Sequence, residues 1–328
     1  MSASAQYKHA LVKVYHGYGH KHNLTVYGHV YQKKSTTGRK YNNNILSNII
    51  YLVKLFLIKP VAGAKLRLLW REQVINGVTE QDGFYKFEWE SLEDVNAGWH
   101  LVTVQLLDGS GNIITTGDGK IFVPHVTQFG FISDIDDTVM ISHSATVFRR
   151  LRVLFTKNPR SRRAFKDVVH HYKLLSMAQT TPQVPNPFFY VSSSEWNLYE
   201  DLKEFFKHND LPGGAFLLSQ LKRWYQLFRT GKTHHEGKLM RVYRILNAFP
   251  LQQFVLIGDN SQADPSIYKM ICDKYPEKIF AVYIRNVVKK NIPATNALLS
   301  TIDDKIFTCL FTDNEEAILH SKEIGLIS

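Results

Sequence analysis

The stretch QFGFISDIDDTVMIS, residues 128 to 142, constrains this chain more than any other. Phe129 to Ile132 form an apolar run typical of a buried strand, and the next positions bring Asp134, Asp136 and Asp137. Buried carboxylates repel one another and lose hydration, so a core strand that ends in three aspartates is costly unless positive charge lies between them. The sequence therefore predicts a charged site at the end of this strand.

Two of these aspartates have the spacing of a shared site. In an extended segment the side chains of Asp134 and Asp136 point the same way, and paired carboxylates suit Mg²⁺, which prefers hard oxygen ligands. A helix–loop–helix calcium loop is excluded because its sixth position would be Val139 instead of Gly and its twelfth Ala145 instead of Glu. Taken alone, the segment also fits a solvated acidic turn.

The pattern of strands and helices changes near residue 125. Residues 1–125 contain short strand-like runs, one of which places Tyr85, Phe87 and Trp89 on one face, and they predict a small antiparallel β-sandwich. An apolar segment at 45–58 predicts a helical insertion, packed on a core or lying on a membrane surface. From residue 126 to 328, apolar strands alternate with helical periods, which indicates an α/β domain with a mainly parallel sheet.

Three further strand ends in this α/β domain carry polar residues. Ser192 ends a predicted strand, where its hydroxyl and backbone N–H groups could hold an anion at a helix amino terminus; Ser193 or Ser194 could equally be a simple cap. Lys238 is early on a predicted helix, where the helix dipole disfavours a cation. Asp259 and Asp264 follow another strand. In open α/β sheets ligands bind at the carboxyl ends of strands, so these residues predict one site.

Composition limits the partners and the compartment. Forty Lys and Arg against 29 Asp and Glu give a net charge of +11, which favours an anionic partner. No nucleic-acid recognition fold accompanies this charge, so nucleic acid is not expected. Two cysteines without metal-ligand spacing, and no secretory signal at the amino terminus, predict a cytoplasmic protein that could be peripheral to a membrane.

The polar motifs together resemble a known family. The DIDDT motif at 134–138, Ser192, Lys238 and GDNSQAD at 258–264 are similar to the four motifs of the haloacid dehalogenase superfamily of phosphohydrolases. More narrowly, PHVTQFGFISDIDDTV, FYVSSSEWNLY and FVLIGDNSQADPSIY resemble the actin-patch-type phosphatidate phosphatases and their bacterial relatives, which are distantly similar to lipins. The resemblance implies a Rossmann-like haloacid dehalogenase domain and hydrolysis of phosphatidate to diacylglycerol and phosphate.

The resemblance also implies roles for individual residues. Asp134 would be the nucleophile that forms an aspartyl-phosphate, and Asp136 the general acid and then the base. Mg²⁺ would be held by Asp134, Asp259 and the main-chain carbonyl of Asp136, while Lys238 and Ser192 offset charge on the transferring oxygens. Supporting positions would be Asp137, Thr138, Ser193, Asn260 and Asp264.

A basic segment follows the aspartates. Residues 148–163 hold seven Lys or Arg and no acid, and a position near the site mouth would bring them to an anionic membrane. We expect this role for Arg149, Arg150, Arg152, Arg160, Arg162 and Arg163. A solvated basic face is the alternative.

Two other functions stay open at this point. One is a phosphatase of the same mechanism that acts on a soluble phosphoester. The other is a non-enzymatic phosphatidate-binding module, which the presence of both Asp134 and Asp136 disfavours because a sensor needs no acid–base residue.

Overall fold

The computed structural model describes residues 9–32, 44–125, 128–140, 159–162, 164–219 and 234–328. Contacts divide the chain into two compact units. The first comprises Met1–Lys40 and Lys54–His125, and the second comprises Tyr41–Val53 and Val126–Ser328.

The first unit is built from strands. Within its described residues they are β1 (Ala10–Val14), β2 (Gly17–His20), β3 (Asn23–Gln32), β4 (Lys59–Pro60), β5 (Lys65–Trp70), β6 (Gln73–Val78), β7 (Phe84–Trp89), β8 (Gly98–Leu107) and β9 (Ile113–Val123). The alternation in β7 buries Tyr85, Phe87 and Trp89 as the sequence predicts. Their core also contains side chains from β1, β3, β5, β8 and β9, so the sheet curls around one apolar interior.

The pairing of these strands differs from the antiparallel sandwich that the sequence predicts. All nine belong to one hydrogen-bonded sheet with the order β1-β3-β2-β9-β8-β5-β6, and β4 and β7 both pair with β3. The sheet is mixed because β2 and β9 run parallel, with Gly17 opposite Ile121 and Tyr18 opposite Phe122. This pairing joins the start of the unit to its last strand, and local sequence patterns do not report contacts of such separation.

The apolar segment at 45–58 contains helix α1 (Ile45–Phe56). At 12 residues it is about 18 Å long, well below the ~30 Å of a bilayer core. Among the described residues, no helix combines the length and the apolar character that a membrane span requires.

The second unit alternates strands with helices. Its described strands are β10 (Gly130–Ser133), β11 (Phe188–Glu195), β12 (Gly214–Ser219), β13 (Phe254–Asp259), β14 (Ile279–Arg285) and β15 (Phe307–Phe311). Besides the first nine residues of α1, its described helices are α2 (Val168–Ser176), α3 (Tyr199–His208), α4 (His234–Ala248), α5 (Asp264–Lys274), α6 (Ile292–Leu299) and α7 (Asn314–Glu323). Strands β10 and β13 are buried at every position, as expected for parallel strands covered on both faces.

All strand pairs in this second sheet are parallel, which confirms the predicted α/β architecture. The order is β12-β11-β10-β13-β14-β15, so the first strand of the unit is central and the chain winds outward to both sides. The direction of winding reverses between β10 and β13. In such doubly wound sheets the loops separate at this point and leave a crevice beyond the carboxyl ends of the strands.

Candidate active site

The predicted site residues meet at the crevice between β10 and β13. Asp134 follows β10 directly, and its backbone N–H donates to the carbonyl oxygen of Ile257 in β13 at 2.9 Å. Asp259 is the last residue of β13. Ser192 lies in β11, the neighbour of β10 on the other side. The parallel register therefore brings three distant parts of the chain to one edge of the sheet.

Lys238 connects two of the aspartates. It lies near the amino-terminal end of α4, and its ammonium Nζ donates to Oδ1 of Asp134 at 2.8 Å and to Oδ1 of Asp264. The side chain is only 7% exposed. Burial alone would lower the pKa of Lys238, but the two carboxylates raise it above its ordinary value, so the side chain is a cation at neutral pH.

The carboxylates outnumber the cation that binds them. Asp134, Asp259 and Asp264 are all buried, and one oxygen of each lies within 4.8 Å of the others. Burial and the neighbouring carboxylates raise the pKa of Asp134 well above its usual range, although Lys238 opposes this. Burial and Asp264 likewise raise the pKa of Asp259 to about 7. Three acids around one ammonium leave an excess of negative charge that a further cation would stabilise.

The three carboxylates differ in how many of their oxygens are already engaged. Among the described residues, Asp264 accepts through both oxygens, from Lys238 at Oδ1 and from the backbone N–H of Asp259 at Oδ2, at 3.3 Å. Asp259 also accepts through both oxygens, from the backbone N–H of Ser261 at Oδ1, at 2.6 Å, and from the Thr138 hydroxyl at Oδ2, at 3.3 Å. Asp134 accepts through Oδ1 alone. Asp264 therefore positions Lys238 and the β13 turn, while the second carboxylate oxygen of Asp134 accepts no hydrogen bond from a described residue.

Asp136 is held separately by two serines. Its Oδ2 accepts from the Ser192 hydroxyl at 3.0 Å and from the Ser194 hydroxyl at 2.9 Å. The carboxylate of Asp136 does not belong to the group formed by the other three aspartates. The Asp136 carboxylate still contributes to the raised pKa of Asp134, so the expectation that Asp134 and Asp136 share one site stays a prediction.

That turn contains a strained residue. Asp137 has a φ of 62°, a left-handed conformation that is uncommon for any residue except glycine, and its N–H donates to the carbonyl of Met140 at 2.8 Å. The hydroxyl of Thr138 donates to Oδ2 of Asp259 at 3.3 Å. Thr138 therefore connects the turn to β13, and the supporting roles expected for Asp137 and Thr138 stay predictions.

The serine segment differs from its prediction. Strand β11 continues through Ser192, Ser193 and Ser194 to Glu195, a 3₁₀ turn follows at Trp196–Leu198, and α3 begins only at Tyr199. No anion site at a helix amino terminus is therefore formed at Ser192. Neighbouring side chains of a strand alternate in direction, so Ser192 and Ser194 face Asp136 while Ser193 points away and is partly exposed.

Asn260 fastens the loop beyond β14. Its side-chain Oδ1 accepts from the backbone N–H groups of Val287 and Val288, both at 2.8 Å, and its Nδ2 donates to the carbonyl of Val288 at 3.2 Å. These bonds fix the turn after Asp259 against the next strand. The supporting role expected for Asn260 stays a prediction.

The sequence analysis assigns no site role to three residues at this edge. Ser194, considered there only as a cap, donates to Asp136. Arg285 ends β14, and its guanidinium Nε donates to the carbonyl of Thr138 at 3.1 Å. Arg241 is one turn after Lys238 on α4, and its Nη2 donates to the carbonyl of Ser192 at 3.4 Å. A charged residue at the end of the apolar run IFAVYIR was a usable signal for Arg285, and the helical spacing from Lys238 was one for Arg241.

The basic segment is described only at two of the predicted positions. Arg160 is exposed, and its Nε donates to Oε1 of Glu204 at 2.5 Å. Arg162 is buried, with Nη2 at 3.6 Å from Oδ2 of Asp201, so its predicted contact with a membrane is wrong. A buried guanidinium needs a carboxylate partner, and here that partner is on α3. Arg149, Arg150, Arg152 and Arg163 lie outside the described residues.

Gly258 leaves the space that the carboxylate of Asp264 occupies. A Cβ on Gly258 would lie 2.4 Å from Oδ2 of Asp264 and 2.9 Å from Cε2 of Tyr268. We expect Gly258→Ala to displace Asp264 and, with it, Lys238. Displacements of about 1 Å can reduce turnover by about 100-fold, so any turnover at this site should fall to that extent while the thermal unfolding midpoint changes far less.

Gly213→Ala is the matched control for this substitution. Outside its chain neighbours, no described heavy atom lies within 4 Å of a Cβ built on Gly213. That variant should retain the parental activity. Unchanged activity in Gly258→Ala would show that the contact between Asp264 and Lys238 is dispensable.

The part of the chain that forms this edge of the sheet matches a known protein family model. Residues 129–286 match the family model described as phosphatidate phosphatase APP1, catalytic domain. The matched range includes Asp134, Asp136, Ser192, Lys238 and Asp259. The second unit resembles an APP1-type catalytic domain.

Two curated relatives agree with this resemblance. Phosphatidate phosphatase APP1 of Saccharomyces cerevisiae is 31% identical over 159 residues, which cover 48% of this chain and 25% of that protein. An uncharacterized protein of Schizosaccharomyces pombe is 25% identical over 188 residues, 54% of this chain and 29% of that protein. The matches thus span less than a third of the length of either relative.

Among solved structures, a carbohydrate acetylesterase from Xanthomonas citri matches 94% of this chain and 72% of its own chain, with 8% identity and a TM-score of 0.31. A likeness at this level carries no argument about fold or function.

Proposed function

We propose that this chain is a Mg²⁺-dependent phosphatidate phosphatase of the haloacid dehalogenase type. The observation that carries the proposal is the arrangement around Asp134. One oxygen is held by Lys238 and the other is directed to no described partner, while Asp136 is fixed nearby by two hydroxyl groups. The family match of residues 129–286 supplies the substrate class.

Asp134 acts as the nucleophile in this proposal. Its Oδ2 attacks the phosphorus of phosphatidate, a P–O bond forms to Asp134, and the P–O bond to the diacylglycerol oxygen breaks. This covalent step divides one difficult displacement into two easier ones. Lys238 orients Asp134 through Oδ1, and its third N–H is available to a phosphoryl oxygen because an ammonium group has three donors.

Asp136 transfers the proton in both halves of the reaction. Its carboxyl group gives a proton to the departing diacylglycerol oxygen and then takes one from the water that attacks the aspartyl-phosphate. The hydroxyl groups of Ser192 and Ser194 fix the orientation of Asp136 through Oδ2. Asp134 is regenerated when phosphate leaves.

The donor set at this edge fits Mg²⁺. It offers only oxygen ligands on buried carboxylates, and their combined negative charge exceeds the positive charge of Lys238. Asp134 and Asp259 would hold the cation together with the main-chain carbonyl of Asp136, while Asp264, which accepts from the Lys238 ammonium, positions Lys238. The bound cation would neutralise charge on the phosphoryl oxygens and on the nucleophile.

A substrate comparison tests the proposal. Phosphatidate in mixed detergent micelles with Mg²⁺ should give equal amounts of diacylglycerol and phosphate. Its kcat/KM should exceed that of glycerol 3-phosphate by more than about tenfold, because binding of the non-reacting acyl part lowers the barrier. If glycerol 3-phosphate is preferred, the substrate is a soluble phosphoester and the lipid assignment is wrong. Phosphatidate binding without phosphate release would instead identify a binding module.

A further inference from the structure

Helix α1 presents an apolar strip to solvent. Leu46, Ile50 and Val53 are 65%, 48% and 39% exposed, and Leu57, in the turn that ends the helix, is 54% exposed. Their spacing of four, three and four residues places them within an arc of about 60° on a helix that advances ~100° per residue. Isolated exposed apolar side chains are ordinary, but four in one row are typical of a binding surface.

The side of α1 opposite the apolar strip is shielded from solvent. Asn48, opposite the strip, is only 5% exposed, and Leu55 on the same side is half-buried. One face of the helix is therefore shielded from solvent, and the apolar strip lies on the other, exposed face. A helix that has one face shielded from solvent and a row of apolar side chains on the other is unusual unless that row has its own partner.

The charge around α1 identifies the kind of partner. The first 71 residues contain no Asp or Glu. Cations surround the strip in the sequence, at Lys33, Lys34, Arg39, Lys40, Lys54 and Lys59. Of these, Lys54 and Lys59 are described and exposed. Aliphatic side chains between basic residues match a surface with an apolar interior and anionic phosphate groups at its boundary.

We propose that α1 binds the surface of an anionic lipid bilayer. The helix lies in the plane of the membrane, with Leu46, Ile50, Val53 and Leu57 among the acyl chains and the lysines at the phosphate groups. It is too short to cross the hydrocarbon. This binding surface goes beyond the proposed phosphatase activity, and its test requires no catalysis.

Vesicle binding tests the proposal directly. The full chain is sedimented with vesicles of phosphatidylcholine alone or of phosphatidylcholine with phosphatidylglycerol. The parent should bind the anionic vesicles, and added salt should weaken this binding. The variant Leu46→Gln/Ile50→Gln/Val53→Gln should bind them about tenfold less or worse, since glutamine keeps the helix but removes the apolar strip.

Two further proteins control the experiment. Leu251→Gln/Leu319→Gln changes two exposed leucines elsewhere, 73% and 59% exposed, and should bind like the parent. Ile50→Trp keeps the strip apolar and should bind at least as well as the parent, with its fluorescence quenched by brominated lipid. This single substitution decides the question even if the glutamine variant fails to fold, as thermal unfolding will show.

Three results would overturn the proposal. The first is equal binding of parent and folded glutamine variant to anionic vesicles. The second is parental binding that does not depend on the anionic lipid. The third is a parental dimer that the glutamine substitutions dissociate while vesicle binding is absent, because the strip would then bind a second copy of the chain.

Discussion

Asp134→Asn is expected to abolish phosphate release from phosphatidate and from p-nitrophenyl phosphate alike. The amide nitrogen and oxygen of asparagine cannot form the aspartyl-phosphate, so both substrates lose the first step. Loss of a nucleophile typically costs more than about a thousandfold in turnover. The fold should persist, because the substitution removes a charge from a site with an excess of buried carboxylates and leaves an oxygen for Lys238.

Asp136→Asn separates nucleophilic attack from proton transfer. With phosphatidate this variant should be nearly inactive, since the leaving alkoxide requires a proton. With p-nitrophenyl phosphate the leaving group requires none, so the variant should release one equivalent of nitrophenol rapidly and then stop.

Appreciable steady turnover by a folded Asp134→Asn protein would contradict the assignment of the nucleophile.

Removal of divalent cations should have an effect of similar size. In excess chelator the buried carboxylates repel the phosphoryl oxygens, and activity should fall by more than about a thousandfold and return on addition of Mg²⁺. Asp259→Ala should raise the Mg²⁺ concentration needed for half-maximal activity or eliminate activity. Mg²⁺ should also raise the thermal unfolding midpoint of the parent, which reports binding independently of catalysis.

Asp273→Ala is the control for the metal experiment. Asp273 is an exposed residue of α5 that pairs with Lys269 at 2.6 Å, so its loss should change neither the Mg²⁺ requirement nor the thermal shift. Full activity of the parent in excess chelator would contradict the proposed metal site.

Much of the second sheet could be predicted because its strands are short apolar runs. The apolar runs Phe188–Val191, Phe254–Ile257 and Phe280–Ile284 each lie within an observed strand. The run GAFLLS of β12 is apolar as well. The expected end of β11 was early because serines are typical of turns, whereas here they continue a strand that carries a bulge beside Asp136.

The site was predictable as a set of strand ends, and less so as a set of contacts. The rule that carboxyl ends of parallel strands meet placed Asp134, Ser192 and Asp259 together. The bond between Arg285 and Thr138 joins residues 147 positions apart, and no local pattern announces it. The parallel pairing of β2 with β9 also joins segments that are far apart in the sequence, so local patterns do not predict it.

The most direct test of the account is to trap the covalent intermediate. The Asp136→Asn protein is mixed with p-nitrophenyl phosphate and Mg²⁺, quenched in acid, digested and analysed by mass spectrometry. We expect one phosphoryl group on the peptide that contains Asp134, and none when Asp134→Asn is added to the same protein. A released equivalent of nitrophenol without a phosphoryl group on Asp134, or with one on another residue, would contradict it.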